Sequence, residues 1–469
     1  MRKHSILQFV SCLIFVILLL GRVRVFAAEN ERRIEEEKRV ALEETELGIL
    51  KGESRLLFDY GFWLNYRYDD YHDDDNDKET KDLLSYSNSI DSRFWMKLVL
   101  KPPVGAAHEN EHSVYVRIKD LRIQRKPDDT GGGTDHDGPH LDYGYLTFDL
   151  RPWWFEVGRQ YFSVGRGIAY SDVNDGAQIF YIFPRSKIKA FFSHMLPHED
   201  NVDLSVPGYD KGSDRYFYGL EYTYAGIPNH RLFGYYIVQR DYSNEIPIDG
   251  ANDYTYDSEY LGIGAQGKIF TNTNYWAEVI RETGTSRVYT TLQKLDVDAW
   301  AGDFGISYDW QAYTHPTLSL GYAFGSGDSD RASVTNTQNG NADGDDENFL
   351  YFGYFSTGYA LAPRLSNLHF YKLGLSFTPF EKHKILKNCR FGIDYYRYYK
   401  FASGGGIYDL DATQANNDIG SEIDVNINWQ IYSDLSCTLQ YGHFQPEDAF
   451  PGSTGDSEDY FSLSLSLTF

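Results

Sequence analysis

Hydrophobic and polar residues alternate strictly over long stretches of this chain. From Ile423 to Ile431 every second side chain is apolar, and acidic or amide side chains fill the positions between them. The last segment repeats the pattern, because Phe461 to Phe469 alternates large apolar residues with serine and threonine. A period of two sustained over about ten residues predicts β-strands with one apolar and one polar face.

Segments of this kind recur along the whole chain, and we count eighteen of them, with sixteen to twenty compatible with the pattern. The predicted strands are residues 56–68, 92–101, 112–123, 141–150, 153–162, 176–183, 186–194, 215–225, 230–240, 259–269, 274–282, 297–310, 316–325, 366–378, 388–400, 421–432, 435–445 and 459–469. Short turns such as Arg151-Pro152 alternate with long polar connections. Regions 163–175 and 326–365 could each hide or add a hairpin.

A soluble β-sandwich would also show alternation, so further features are needed to separate it from a membrane barrel. The polar positions carry charges along whole strands, as at Arg93 and Lys97 or at Arg117 and Lys119. Aromatic residues collect towards strand ends, and connections alternate between short and long. We therefore predict an all-β fold, a transmembrane antiparallel up-and-down β-barrel, over residues 53–469.

Composition narrows the functional classes. The chain of 469 residues has 39 Tyr, 30 Phe and 8 Trp. Its mean hydropathy of −0.49 excludes a bundle of membrane helices. A net charge of −24 argues against nucleic acid as a partner. Cys389 and Cys437 could pair, but two cysteines cannot form a disulfide scaffold.

The first 52 residues differ from the rest of the chain. Basic residues precede and follow an apolar run, and residues 1–27 read as a signal peptide, with a single-pass anchor as the alternative. Its removal would take away four basic residues and leave a net charge of −28. Residues 28–52 are rich in Glu, Arg and Lys and predict a charged periplasmic helix or tether, which could instead dock on a periplasmic partner or plug the barrel.

A barrel of this size is expected to enclose an aqueous lumen, so transport is the default function. The alternate side chains that face the lumen should then select the solute. The basic candidates are Arg93, Lys97, Arg117, Lys119, Lys189 and Arg390, and the acidic ones are Glu221, Glu278, Asp309, Asp394, Glu422 and Asp424. Ammonium and guanidinium groups would attract carboxylates, while interspersed acids would prevent tight retention. Alternatively, these charges neutralise each other and only hold the wall in shape.

A distinctive segment is the stretch Trp154-Phe-Glu-Val-Gly-Arg-Gln-Tyr161, which is followed by Gly165-Arg-Gly167. This segment resembles the "GRQ" segment of the alginate export family of outer-membrane barrels. Leu141 to Leu150 looks like the preceding strand, and Gly420 to Asp424 with Phe444 to Glu447 is similar to the C-terminal pattern. The resemblance implies eighteen strands and an electropositive constriction that passes a polyuronate outward, gated by a periplasmic turn and an external loop. By position, the resemblance assigns Arg159 and Arg166 to the motif arginines, Asp172 or Asp175 to the acids that follow, and Glu422 and Asp424 to the C-terminal pair.

Two features do not fit this picture easily. Arg159 shares register with Phe155 and Val157, which should face lipid, so a bulge or a loop would have to turn it inward. The acidic net charge also conflicts with an anion pore. Much of the acid is local, in predicted external loops at Asp69-Asp70, Asp73 to Glu79, Asp128-Asp129 and Asp343 to Glu347. An acidic rim could therefore coexist with a basic waist.

No cofactor is predicted. Asp73, Asp75 and Asp77 could bind Ca²⁺, but Lys78 stands where an EF-hand loop needs Gly, so a solvated rim is the main interpretation. His136 and His140 are weaker metal candidates. No Gly-x-Ser-x-Gly elbow is present in the sequence, and a hydrolase site in the outer loops is a minor alternative.

The sequence therefore predicts a non-enzymatic channel in the outer membrane of a Gram-negative bacterium, with both termini periplasmic. The main hypothesis is passive outward conduction of an anionic polysaccharide, and the alternative is a general or oligosaccharide-specific uptake porin. Expected partners are membrane lipid, lipopolysaccharide, the anionic saccharide and periplasmic export components.

Overall fold

A computed structural model gives the architecture of the chain. It describes residues 45–46, 55–72, 86–101, 111–126, 133–196, 214–243, 256–287, 293–331, 334–335, 341, 344–409, 411–451 and 457–469. Among these residues, no helix is long and apolar enough to cross a membrane.

The regular structure of the described residues is β-strand. A two-residue strand, β1, is Thr45–Glu46, and eighteen longer strands follow it. They are β2 Arg55–His72, β3 Tyr86–Lys101, β4 His112–Lys126, β5 Gly133–Leu150, β6 Trp153–Ser163, β7 Ser171–Ile182, β8 Ser186–His194, β9 Arg215–Tyr224, β10 His230–Asp241, β11 Asp257–Phe270, β12 Thr273–Arg287, β13 Lys294–Asp309, β14 Thr317–Gly325, β15 Leu368–Phe377, β16 Cys389–Lys400, β17 Asp418–Gln430, β18 Leu435–Pro446 and β19 Glu458–Thr468.

Each of the eighteen long strands pairs antiparallel with its neighbour in sequence, and the last pairs with the first. Thr468 of β19 lies opposite Trp63 of β2, and Asp459 lies opposite His72. Phe469 and Phe62 exchange backbone hydrogen bonds of 2.9 Å. The sheet is thus a closed up-and-down barrel without free edges, as the alternation predicted.

The two faces of the barrel differ as a membrane requires. On β11, the side chains of Leu261 and Ile263 point outward and are 56% and 64% exposed. The even-numbered residues next to them point inward, and Tyr260 is fully buried. On β9, the outward Leu220 is 53% exposed and its neighbour Glu221 only 4%. Apolar side chains therefore cover the outside, and charged side chains lie within.

Several strands are longer than predicted, and the extensions of more than one residue lie at the long-loop end. β2 continues to His72, β3 begins at Tyr86 and β5 begins at Gly133. Beyond the hydrocarbon layer, outward-facing side chains need not be apolar. The hydrogen-bonded pairing of the strands therefore continues after the alternating sequence pattern has ended. In the described parts of 163–175 and 326–365, no extra hairpin forms.

The N-terminal predictions are mostly outside the described residues. Residues 1–27 lie outside them, and so does nearly all of 28–52. At Thr45–Glu46 the helical prediction is wrong, because these residues pair antiparallel with Phe58 and Leu57 of β2.

The barrel interior contains a packed region, contrary to the expectation of a wholly aqueous lumen. Among the described residues, two connections contribute most of the loop side chains of this region, residues 164–170 between β6 and β7, and the described part of 326–367 between β14 and β15. Their buried side chains include Ile168, Tyr170, Phe349 and Phe352, which join strand residues such as Phe217 in one hydrophobic cluster. Ile407, Ala412, Ala449 and Phe450 of two other connections also belong to it. We call residues 164–170 and the described part of 326–367 the inner loops. They narrow the space that a solute can use.

Part of the acidic sequence expected at the outer rim also lies inside. Asp69 belongs to β2 and is 6% exposed, and Asp346 is fully buried in an ion pair with Arg331. The rim prediction is therefore wrong for these two residues. Asp73 to Glu79 and Asp128-Asp129 lie outside the described residues.

Candidate transport pathway

Four of the predicted cations occupy one wall of the barrel. Arg93 and Lys97 lie on β3, and Arg117 and Lys119 lie on β4. Lys119 stands directly opposite Arg93 in the strand register. The outward parity of β3 is marked by Phe94, which is 43% exposed, so the odd-numbered residues face inward. The alternation of the two strands places these four cations together, and we call this part of the inner surface the basic wall.

Two carboxylates hold the arginines of this wall in place. Asp91 accepts hydrogen bonds from Arg93 Nε and Nη2 at 2.9 and 2.7 Å. Asp142 Oδ2 accepts from Arg93 Nη1 at 3.1 Å and from Arg117 Nε at 2.6 Å. Because both guanidinium groups are paired, their positions are fixed and their net charge is reduced.

A β-bulge brings Asp142 to this position. Arg117 pairs with Tyr143, but the next residue, Ile118, pairs with Leu141, so Asp142 is the extra residue on β5. The sequence prediction missed both acids. Asp91 could have been found, since it shares parity with Arg93. Asp142 could not, because simple alternation gives no sign of the bulge.

Arg159 and Asp175 do not face the lumen, in contrast to the prediction from the resemblance. The register from β6 to β7 is regular and places them opposite each other. They form an ion pair of 2.9 Å on the same parity as Val157, which is 46% exposed to the outside. Arg159 also donates to the backbone oxygen of Leu141. The pair therefore belongs to the outer surface of the barrel.

Arg166, by contrast, lies in an inner loop that reaches β12 and β13. Its backbone N–H donates to Glu278 Oε2 at 3.1 Å, and its Nε donates to Asp303 Oδ2 at 2.7 Å. The preceding Gly165 has a φ of +56°. A Cβ at Gly165 would lie 2.3 Å from Glu278 Oε1. Only glycine allows this close approach in that conformation.

Asp172 and Lys189 lie on inward positions of β7 and β8. The Asp172 carboxylate accepts the backbone N–H of Val173 at 2.7 Å. Lys189 is buried, with its ammonium group 2.6 Å from Glu221, and it also donates to the backbone oxygen of Ser163. Lys189 thus braces strands and the start of an inner loop.

Glu422 fastens the longer inner loop. Its Oε1 accepts the backbone N–H groups of Tyr359 and Ala360 at 2.6 and 2.9 Å, and its Oε2 accepts that of Leu361 at 3.2 Å. Gly358, with a φ of +136°, precedes this row of donors. A second buried carboxylate, Glu282, accepts the N–H of Leu350 at 2.8 Å.

Of the other predicted residues of β16 and β17, Asp394 and Asp424 lie near this anchor, and Arg390 lies apart from it. Asp424 stands opposite Asp394 in the register and is fully buried. Asp394 forms an ion pair of 3.2 Å with Lys372. Arg390 is exposed near the short-turn end and donates to the hydroxyls of Ser376 and Thr317 at 2.6 and 3.2 Å.

The metal hypotheses gain no support from geometry. Asp73, Asp75 and Asp77 lie outside the described residues, so the Ca²⁺ interpretation stays a prediction. His136 and His140 contact Asp120 and Asp137 at 2.6 and 3.2 Å. In the part of the chain that the structure describes, no group of three or more His, Cys, Asp or Glu could hold a metal ion. Cys389 and Cys437 are free thiols.

Comparison with known families decides the identity of this barrel. Residues 61–463 match the family model described as Alginate export. The chain belongs to the alginate export family. The match spans β2 to β19, so it covers both the basic wall and the inner loops.

Solved structures share the architecture of this alginate export family member. Pseudomonas aeruginosa OccK5 (OpdH) has 10% identity and a TM-score of 0.51, over 88% of this chain and 98% of that chain. P. aeruginosa OccK3 (OpdO) has 11% identity and a TM-score of 0.51, over 88% and 95%. Acinetobacter baumannii OccAB3 has 13% identity and a TM-score of 0.50, over 88% and 99%. At these identities the likeness shows the fold alone. No curated protein matches.

Family and architecture together identify an outer-membrane channel. The alginate export barrel carries paired charges on its inner wall and two loops within its lumen. Its family and fold are those of transport proteins.

Proposed function

We propose that this channel passively conducts an anionic polysaccharide, an alginate-like polyuronate, out of the cell. In this proposal the short turns and both termini are periplasmic, the long loops face outward, and residues 1–27 direct export. The protein acts without catalysis, because passage needs only a wetted path and charge complementarity.

The observation that carries the proposal is that four inward-facing cations share one wall, with the acids Asp59, Asp91 and Asp142 beside them, while acids of the opposite wall hold the inner loops. Arg93, Lys97, Arg117 and Lys119 share the β3–β4 wall. Glu278 and Glu282 lie on β12, nine strands away in a ring of eighteen, and are bound by the inner loops. The acids opposite are thus engaged in holding loops, while Lys97 and Lys119 are partly exposed on the basic wall. A uronate carboxylate would be attracted to that wall.

A general or oligosaccharide-specific uptake porin is the second candidate. It is favoured by the pairing of wall cations with acids, as in Arg93 with Asp91 and Lys189 with Glu221. A lumen of mixed charge would pass small polar solutes of either sign. Liposome swelling separates the two candidates, since a general porin would admit neutral di- and trisaccharides as fast as uronates of equal size.

Bilayer recording tests the main proposal. The wild type should be anion-selective by reversal potential in a salt gradient, and polyuronate should block its current at lower concentration than dextran of similar length. The double variant Lys97→Gln/Lys119→Gln should lose much of both effects. Lys384→Gln, on an exposed turn, is the matched control. A cation-selective wild type would overturn the proposal.

A further inference from the structure

The basic wall also carries inward-facing aromatic rings. Along β3 the inward positions are Arg93, Trp95 and Lys97, and along β4 they are Tyr115, Arg117 and Lys119. Along β3 the aromatic Trp95 thus lies between two cations, and along β4 Tyr115 is followed by two cations.

The strand register places each of the two rings opposite a cation of the neighbouring strand. Trp95 stands opposite Arg117, and Lys97 stands opposite Tyr115. Aromatic residues continue on both sides, with Trp63 of β2 opposite Arg93 and Tyr145 of β5 opposite Tyr115. Trp95 and Tyr115 have cationic neighbours both along and across the sheet, and Trp63 has one across it. Inward side chains on one strand recur about every 7 Å.

Trp95 is placed to present its indole to the lumen. The opposite residue on β2 is Gly61, where a Cβ would lie 2.6 Å from the indole atoms Cε2 and Cζ2. The absence of a side chain at Gly61 lets the ring lie against the wall. Tyr115 stacks beside it, with ring centroids 6.1 Å apart and planes at 25°. Trp95 and Tyr145 are partly exposed, whereas Tyr115 is 5% exposed and packs against both of their rings.

The arginines of the wall are themselves ordered by rings. Arg93 lies 4.6 Å from the ring centroid of Trp63, and Arg117 lies 4.0 Å from that of Tyr143. Together with Asp91 and Asp142, these contacts fix both guanidinium groups. The wall is thus a pre-organised surface, in which little side-chain freedom remains to be lost when a ligand binds.

We propose that Trp63, Trp95, Tyr115 and Tyr145, with Lys97 and Lys119, form a saccharide-binding patch on the inner wall. The apolar face of a sugar ring lies on the Trp95 indole, and a carboxylate on that ring or its neighbour reaches Lys97 or Lys119. The patch binds a chain of acidic sugar units. Its carboxylate specificity rests on the proposed function, whereas its stacking contact does not.

The test compares three variants in the bilayer assay, with an oligouronate and a neutral oligosaccharide of equal length as blockers. Trp95→Leu should raise the half-blocking concentration of the oligouronate about tenfold, as expected for loss of one stacking contact. Trp95→Phe should restore most of the block. Trp300→Leu makes the same change on the outward face, where Trp300 is 45% exposed, and should leave the block unchanged. Ion selectivity should be the same in all three, because no charge changes.

The outcomes separate this proposal from the proposed function. If the wild type is anion-selective and blocked by oligouronate, but Trp95→Leu is blocked equally well, the patch is refuted and the anion channel stands. If only the neutral saccharide blocks, and Trp95→Leu weakens that block, the stacking contact is supported and the polyuronate cargo is refuted. If neither saccharide blocks the wild type, the patch is refuted. Retained β-sheet circular dichroism shows that each variant is folded.

Discussion

The carboxylate of Glu422 on β17 accepts the backbone N–H of Ala360, in the longer inner loop, at 2.9 Å. It also accepts the neighbouring N–H groups of Tyr359 and Leu361. One wall side chain thus fixes three consecutive residues of a loop that lies inside the barrel. The position of this loop, and with it the width of the passage, depends on a few buried charge-assisted hydrogen bonds.

Glu422→Gln is therefore expected to loosen the inner loop. The amide keeps the size of the side chain but loses the negative charge, which should cost about 2–4 kcal/mol of loop anchoring. We expect higher single-channel conductance, more open-channel noise, and tryptic cleavage after Arg364 within the loop. Glu381→Gln, on an exposed turn, serves as control. Unchanged conductance and continued resistance at Arg364 would show that Glu422 does not anchor the loop.

Gly165→Ala should disturb the other inner loop. Alanine at a φ of +56° costs roughly 1 kcal/mol, and its Cβ would collide with the Glu278 carboxylate at 2.3 Å. The loop should move away from β12, with a lower melting temperature and an altered conductance. Gly133→Ala is the matched control, because a Cβ there meets no atom within 4 Å. Equal behaviour of the two variants would contradict this role for Gly165.

The sequence could predict the barrel because the membrane imposes its alternation directly. Ile423, Val425 and Ile427 face lipid while their neighbours face inward, so each strand carries its own signal. All eighteen long strands were found in this way. The outer ends of several strands, such as β3 and β5, were missed, since outside the hydrocarbon layer no such constraint acts.

The inner loops and the ion pairs of the site depend on contacts between distant residues. No local pattern links Glu422 to Ala360, or Asp142 to both Arg93 and Arg117. One signal was present and overlooked. Phe349 to Phe352 is a run of four apolar residues within a region interpreted as an external loop. Such a run is expected to be buried, which in a barrel means folding inward.

Arg159→Ser should leave ion selectivity unchanged. Arg159 pairs with Asp175 on the outer surface, and the two side chains are 24% and 46% exposed. Because the pair lies on the outward face, the substitution removes no charge from the lumen. The reversal potential should equal that of the wild type, in contrast to Lys119→Gln. A clear loss of anion preference in Arg159→Ser would show that this side chain does reach the permeation path.

Asp142→Asn should make the channel more anion-selective. Asp142 shares one carboxylate oxygen between Arg93 and Arg117, so its neutralisation leaves their charge less compensated. A change of about 1 kcal/mol in the energy of a passing anion corresponds to roughly fivefold in relative permeability. Asp91→Asn should also raise the anion selectivity, because Asp91 is bonded to Arg93. Asp309→Asn should change the selectivity less, because Asp309 lies nearer the short-turn end and is bonded to Thr317. The measurement is the reversal potential in a tenfold salt gradient. A shift towards cation preference in Asp142→Asn would contradict this prediction. It would mean that the freed arginines had left the pathway, so that the main role of the acids is to position the arginines and not to reduce their net charge.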